Sequence, residues 1–142
     1  MTTEFSLAET RQAIAATWPV MRQLRPHFGP EDYVALVERL RAEHGFRLAQ
    51  MRVDGEIVAV AGLRFGEWLP RGRYLEIEDF VTRDESRSQG HGSAFFDWIA
   101  AYGREAGCRH LRLVSAIHRE AAHRFYRRKG MALEAYYFSL DL

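Results

Sequence analysis

Between residues 74 and 117 the chain spells out a unit that few folds can hold. "YLEIEDFVT" reads as a strand, "RSQGHG" as a glycine turn, "SAFFDWIAAYGREAG" as a helix and "HLRLVSAI" as a second strand. A strand, a crossover helix and a further strand make a parallel pair. The helix spans about residues 90 to 106 and turns Phe95, Trp98, Ile99 and Tyr102 toward a core. The turn before it also has chemical meaning. Helix N-termini carry unpaired N–H groups and the positive end of the dipole, and small residues let an anion reach them. Gly90 and Gly92 clear the approach and Arg87 adds a fixed positive charge, so a pyrophosphate suits the site.

Two other phosphate-binding patterns do not fit. No G-x-x-x-x-G-K-[ST] string exists, and the position three after Gly92 is Phe95 rather than glycine. A tight turn with no ligand is the plain alternative for the glycines taken alone.

The flanking sequence builds antiparallel neighbours. In "FRLAQMRVDGEIVAVAGLRF" two strand-like runs flank Asp54 and Gly55, the pair a tight hairpin prefers. The second run is apolar on both faces and belongs in the middle of a sheet. "GEWLPRGR" reads as a longer loop. Upstream, residues 8 to 24 look helical, with Ile14, Trp18 and Met21 on one side and Pro19 expected to kink or split the helix. "LRPHFGPED" is a loop. A second helix starts at Pro30, with Glu31 and Asp32 beside its dipole and Tyr33, Leu36, Val37 and Leu40 as its buried stripe; Gly45 stops it. "REAAHRFYRRKG" is a short helix closed by Gly130, and "MALEAYYFSLDL" reads as a last strand. "TEFSLAE" is a weak strand, short or absent. The order is α-α-β-β-β-α-β-α-β: a mixed sheet covered by helices in one domain over residues 1–142.

Composition excludes several classes. Hydrophobic residues make up 47% of the chain, enough for a packed core. The formal net charge is +1 and no basic stripe interleaves with aromatics, so nucleic acid is not an expected partner. No run reaches the ~18 apolar residues of a membrane span and the N-terminus lacks a signal-peptide profile. The single cysteine, Cys108, rules out an internal disulfide, points to a cytoplasmic home, and reads as a buried inert thiol. The histidines do not pair at ligand spacing with carboxylates or Cys108, so no metal is expected.

Two motifs carry a family resemblance. "RSQGHG" resembles the R/Q-x-x-G-x-G/A signature of the GNAT N-acetyltransferase superfamily, and "AAHRFYRRKGM" resembles its second signature, A-x-x-F-Y-x-x-x-G-F, with Met131 in place of the final phenylalanine. The order of elements is also similar over nearly the whole chain. The resemblance implies a mixed, mostly antiparallel twisted sheet of 6–7 strands with about four helices, its fourth and fifth strands parallel and splayed. It implies acetyl-CoA as co-substrate. The pyrophosphate of CoA would rest on the turn from Arg87 through Ser88, Gln89, Gly90, His91 and Gly92 to Ser93. The pantetheine arm would pair with Phe80, Val81 and Thr82, with Phe125 packed near it and Arg128 reaching a phosphate. Tyr126 matches the tyrosine that protonates the leaving thiolate.

Glu76 matches the base of some histone-acetylating relatives. Glu78, two residues on, points to the same strand face. Either carboxylate, or a water relay, would take the acceptor's proton, and a bulge in this strand would change which carboxylate faces the cleft. The family places acceptor contacts at His27, Phe28 and Trp68, and cleft residues at Ser115 and His118. Arg119 departs from the asparagine often found at its position. The expected partner is a small-molecule or peptide amine, and Glu76, Glu78 and Asp79 would favour a cationic one. The aromatic last strand leaves a homodimer open. Two rivals stand beside acetyl transfer to an amine: a non-catalytic acyl-CoA-binding regulatory module, and transfer of another acyl group.

Overall fold

The structure is a computed structural model that describes residues 1–86 and 89–142. Arg87 and Ser88, which the sequence assigns to the glycine turn, lie outside the described residues. The chain divides into two compact units, Met1–Arg112 and Leu113–Leu142.

The first unit is built on a sheet in the order β1-β2-β3-β4-β5. Strands β1 (Thr3–Leu7), β2 (Phe46–Val53), β3 (Glu56–Trp68) and β4 (Gly72–Thr82) pair antiparallel in succession. Strand β5 (His110–Leu113) runs parallel to β4. The Asp54 and Gly55 hairpin forms as read: both have positive φ, 50° and 83°, which a two-residue turn of right-handed strands requires. β3 lies at the centre of the sheet, and its residues from Ile57 to Leu63 are all buried.

Helices α1 (Arg11–Met21) and α2 (Pro30–Glu43) form one core with the sheet, in which Ile14, Val20, Tyr33 and Val37 meet Leu48, Val60 and Val81. Thr10 caps α1, its hydroxyl accepting from the Ala13 N–H at 3.0 Å. Helix α3 (His91–Glu105) packs on β3 and β4, with Phe95 stacked on Phe5 and Phe80. In the second unit, α4 spans Glu120–Arg128 and Gly130 follows it with φ 93°.

Five expectations change. Pro19 does not split α1, which runs unbroken from Arg11 to Met21. The proline falls close enough to the C-terminal end that the helix stops two residues later. The 66–73 loop shrinks to residues 69–71, because β3 continues to Trp68 and pairs with Gly72. The first strand is present: β1 gains its hydrogen bonds from β2, and Phe5 stacks on Phe95 and Trp98. Residues 131–142 hold no strand, so the sheet has five strands among the described residues rather than 6–7. The alternation of Tyr136, Phe138 and Leu140 favours an extended conformation, but a strand exists only where a partner completes its ladder. Cys108 is half-buried rather than buried.

Candidate active site

The local chemistry is set by one irregularity in β4. Gly62 pairs with Asp79 and the next residue, Leu63, pairs with Ile77, so Glu78 is an extra residue in a β-bulge. The bulge reverses which side odd and even residues face. Before it, Leu75 is buried beside Gly103 of α3. After it, Val81 joins the α1–α2 core while Phe80 stacks on Phe95 of α3 at 5.7 Å. Asp79 is thereby turned to the α1–α2 side, beside Glu78. Both carboxylates line a cavity of about 340 Å³.

Each acidic residue of β4 meets an arginine. Arg112 Nε donates to Glu76 Oε1 at 2.7 Å, Arg64 Nε to Glu78 Oε2 at 2.8 Å, and Arg25 Nε to Asp79 Oδ1 at 2.8 Å. The hydrogen bond that Arg64 donates to Glu78 holds the guanidinium pKa above its ordinary range. Asp79 behaves differently. Burial raises its carboxyl pKa, and Arg25 offsets that only partly. Its Oδ2 occupies the space over Gly62, where a Cβ would collide with the carboxylate. A glycine opposite the bulge is what lets this carboxylate in.

Arg25, His27 and Phe28 reach the cavity from the loop between α1 and α2, and the His27 and Phe28 rings lie 4.2 Å apart. Tyr33 closes the wall. Its hydroxyl shares a 2.7 Å hydrogen bond with the Thr17 hydroxyl, and burial pushes its pKa up to about 12. His27, Phe28 and Glu78 are therefore brought together as the sequence suggested. Glu76 does not line this cavity. Nor does Trp68, which ends β3 in a stack with His110 at 6.2 Å, the Arg112 guanidinium 4.5 Å above its ring. Arg25 and Tyr33 are polar cavity residues that sequence reasoning did not assign to the site, and Asp79 was read only as part of an acidic patch that favours a cationic acceptor. The signal for Asp79 was present: an acid stands where the alternation of Leu75 and Ile77 calls for a third apolar residue.

Helix α3 opens on Gly90, its N-cap, with φ 79°, and a Cβ there would meet nothing within 4 Å. No acidic residue stands in the first turn of the helix. Gly92 sits over Phe80 and Thr82, each 3.8 Å from where its Cβ would be. His91 is buried at the start of the helix, while Gln89 is exposed. The second feature is the difference in length between the last two strands: β5 has four residues and β4 eleven. A helix that opens on glycine is a place where backbone N–H groups can meet an anion.

The comparisons with known proteins give the family. The acetyltransferase (GNAT) family matches residues 8–131. The chain belongs to this family. It is 30% identical over 130 residues to an uncharacterised N-acetyltransferase, YhdJ, of Bacillus subtilis, covering 91% of this chain and 92% of the relative. It is 31% identical over 90 residues to an aminoalkylphosphonate N-acetyltransferase of Salmonella typhimurium, covering 63% and 58% of the two chains. A solved GNAT family acetyltransferase of Staphylococcus aureus matches all of both chains with a TM-score of 0.84 at 15% identity, a likeness of fold. The protein is an acyltransferase of this family.

The second unit of this acetyltransferase carries the other signature. Phe125 and Tyr126 lie on α4 with their rings 5.5 Å apart, edge to face, and Arg128 ends the helix. Burial raises the Tyr126 phenol, and the Arg119 charge opposes this weakly. Arg119 is the N-cap of α4 and makes no capping bond with its side chain. Ser115 and His118 fall beyond β5, in the segment leading into α4, where the Glu120 N–H donates to the His118 carbonyl at 3.0 Å. Among the described residues no cluster is placed to hold a metal ion, and no helix is long and apolar enough to cross a membrane.

Proposed function

We propose that the protein transfers the acetyl group of acetyl-CoA to a primary amine of a small molecule, by direct attack within a ternary complex. The observation that carries this reading is the α3 N-terminus, which opens on an exposed Gly90 in a left-handed conformation and has no acidic residue in its first turn. By the family resemblance the pyrophosphate rests on the N–H groups that open α3, and the pantetheine arm lies along β4 at Phe80, Val81 and Thr82. On α4, Phe125 and Arg128 are the residues the resemblance assigns to the same co-substrate. Acetyl-CoA supplies an activated acyl group there.

The residues of the chain then have three tasks. An alkylammonium, with a reference pKa near ~10.4, must lose a proton before its nitrogen can attack. Glu78 lines the cavity and is the carboxylate best set to accept it, directly or through water; Glu76 serves in the same way only at longer reach, tied to Arg112. A backbone N–H at Phe80 or Val81 steadies the thioester oxygen as charge develops. The C–N bond forms, the C–S bond breaks, and Tyr126 gives its phenolic proton to the leaving sulfur. His27 and Phe28, which line the cavity, contact the acceptor. Amine acetylation is also the activity named for the aminoalkylphosphonate relative.

Calorimetric titration with acetyl-CoA, beside Gly90→Glu, tests this reading. The expected result is micromolar binding to the wild type and none to a folded variant. A folded wild type that binds no acetyl-CoA would remove acetyl transfer as its activity.

A further inference from the structure

The cavity beside the bulge has two unlike ends. At one end Glu78 and Asp79 of β4 face Arg25 and His27 of the α1–α2 loop. Arg25 also donates to the Glu78 carbonyl at 3.2 Å, so all the charge collects at the bulge. The rest of the lining is mostly apolar: Leu36, Val37 and Leu40 of α2 and Leu48 of β2, with the Phe46 ring beside the Asp79 carboxylate. Tyr33 also lines the cavity, its hydroxyl in a hydrogen bond with Thr17. The aliphatic side chains of α2 and β2 offer no hydrogen bond to a guest. At about 340 Å³ the space lies at the low end of small-molecule sites.

We propose that the acceptor is a primary amine on an apolar body, with its ammonium against Asp79 and its hydrocarbon tail between Leu36, Val37 and Leu40. The inference rests on the N-acetyltransferase reading above and narrows its substrate class. Asp79 is the anchor because it alone combines a position in the cavity with a partner that can leave. Its side chain is 17% exposed, whereas that of Arg25 is 40% exposed on a loop. An entering ammonium takes the place of the guanidinium, which turns to water at small cost. Glu78 is held from behind by Arg64, which also donates to the His44 carbonyl, and stays in place. Polyamines and amino sugars are selected against: a second ammonium or a set of hydroxyls would have to enter the apolar end with no partner. An acceptor with an anionic group would place that group against Glu78 and Asp79 or among the leucines.

The test is a series of straight-chain amines from propylamine to hexylamine, set beside spermidine, glucosamine and 2-aminoethylphosphonate, with thiol release from acetyl-CoA as readout. The expected kcat/KM rises about fourfold per methylene until the cavity fills. The polar amines should fall at least about tenfold below hexylamine, on the same scale. Leu40→Asn should flatten the series, and Leu36→Gln does the same if the first variant folds poorly. Asp79→Asn should raise KM for every alkylamine by a similar factor while leaving acetyl-CoA affinity unchanged. A flat series, a preference for any polar amine, or bound acetyl-CoA with no alkylamine consumed would overturn the inference and leave the transferase reading standing. If acetyl-CoA itself does not bind, the transferase reading falls, and calorimetry with hexylamine alone decides this one. Binding weakened in Leu40→Asn supports it, and no binding up to millimolar amine refutes it.

Discussion

Gly62→Ala should be far more damaging than its chemistry suggests. A Cβ at residue 62 would collide with the Asp79 carboxylate and lie 2.8 Å from Phe46 Cζ. Real Cβ atoms do not come that close, so one neighbour has to move. Phe46 is 3% exposed and locked in the core, whereas Asp79 can rotate away only by giving up Arg25. Overpacking of this kind costs about 1–3 kcal/mol. Asp79→Ala taken alone removes the ion pair but also a carboxylate that burial disfavours, and Arg25 is exposed enough to be rehydrated, so its effect should stay within about 1 kcal/mol of zero. In the double variant the added methyl fills the place of the missing carboxylate. The double-mutant cycle should therefore show a favourable coupling of at least about 1 kcal/mol. Urea denaturation of the four proteins, at constant m, measures it. Additive losses would show that the Asp79 carboxylate does not fill the space over Gly62, and the bulge geometry argued above would be wrong.

Two further perturbations address other parts of the molecule. Tyr33 ionises near ~10 in an unfolded chain and at about 12 in the folded one. Its contribution is complete below pH 10 and is lost as pH rises toward 12, by roughly 2.7 kcal/mol at about 1.36 kcal/mol per unit. Tyr33→Phe should lack that alkaline loss, giving up about 1 kcal/mol at neutral pH for the Thr17 bond instead; parallel pH–stability curves would refute the assignment. Tyr126→Phe should lower turnover roughly 10²- to 10⁴-fold with acetyl-CoA affinity retained, and because burial raises the Tyr126 phenol, the wild type should keep its activity at alkaline pH up to the ordinary tyrosine range; unchanged turnover would remove it as the acid.

Most of what was legible in the sequence was local. Asp54 and Gly55 specify their hairpin because only a few residue pairs tolerate two successive positive φ values. Helix α2 announces itself through Pro30, the acids after it and Gly45 at its end. The glycine turn is legible for the same reason, since Gly90 adopts a conformation other residues resist. What escaped the reading depends on partners far along the chain. Thr3–Leu7 is weak as a strand by itself and is held by β2, more than forty residues away. Residues 131–142 have the opposite character, a strong alternating pattern with no strand formed.

The cavity shows why a site is harder to read than a fold. Its polar end joins a loop, Arg25 to Phe28, to a bulge at Glu78 some fifty residues later, and neither segment implies the other. Yet the sequence of β4 holds half of the answer. Leu75 and Ile77 set a period of two, and an acid at residue 79 breaks it where a core residue is due. Kept in phase, the carboxylate would face α3 beside Leu75 and Ile77; with one residue inserted it turns to the face where Arg25 pairs with it. The second costs a few ladder hydrogen bonds, the first several times more. An acid out of phase in an otherwise alternating strand is thus a physical signal for a bulge, and in this chain the bulge supplies the acidic floor of the site.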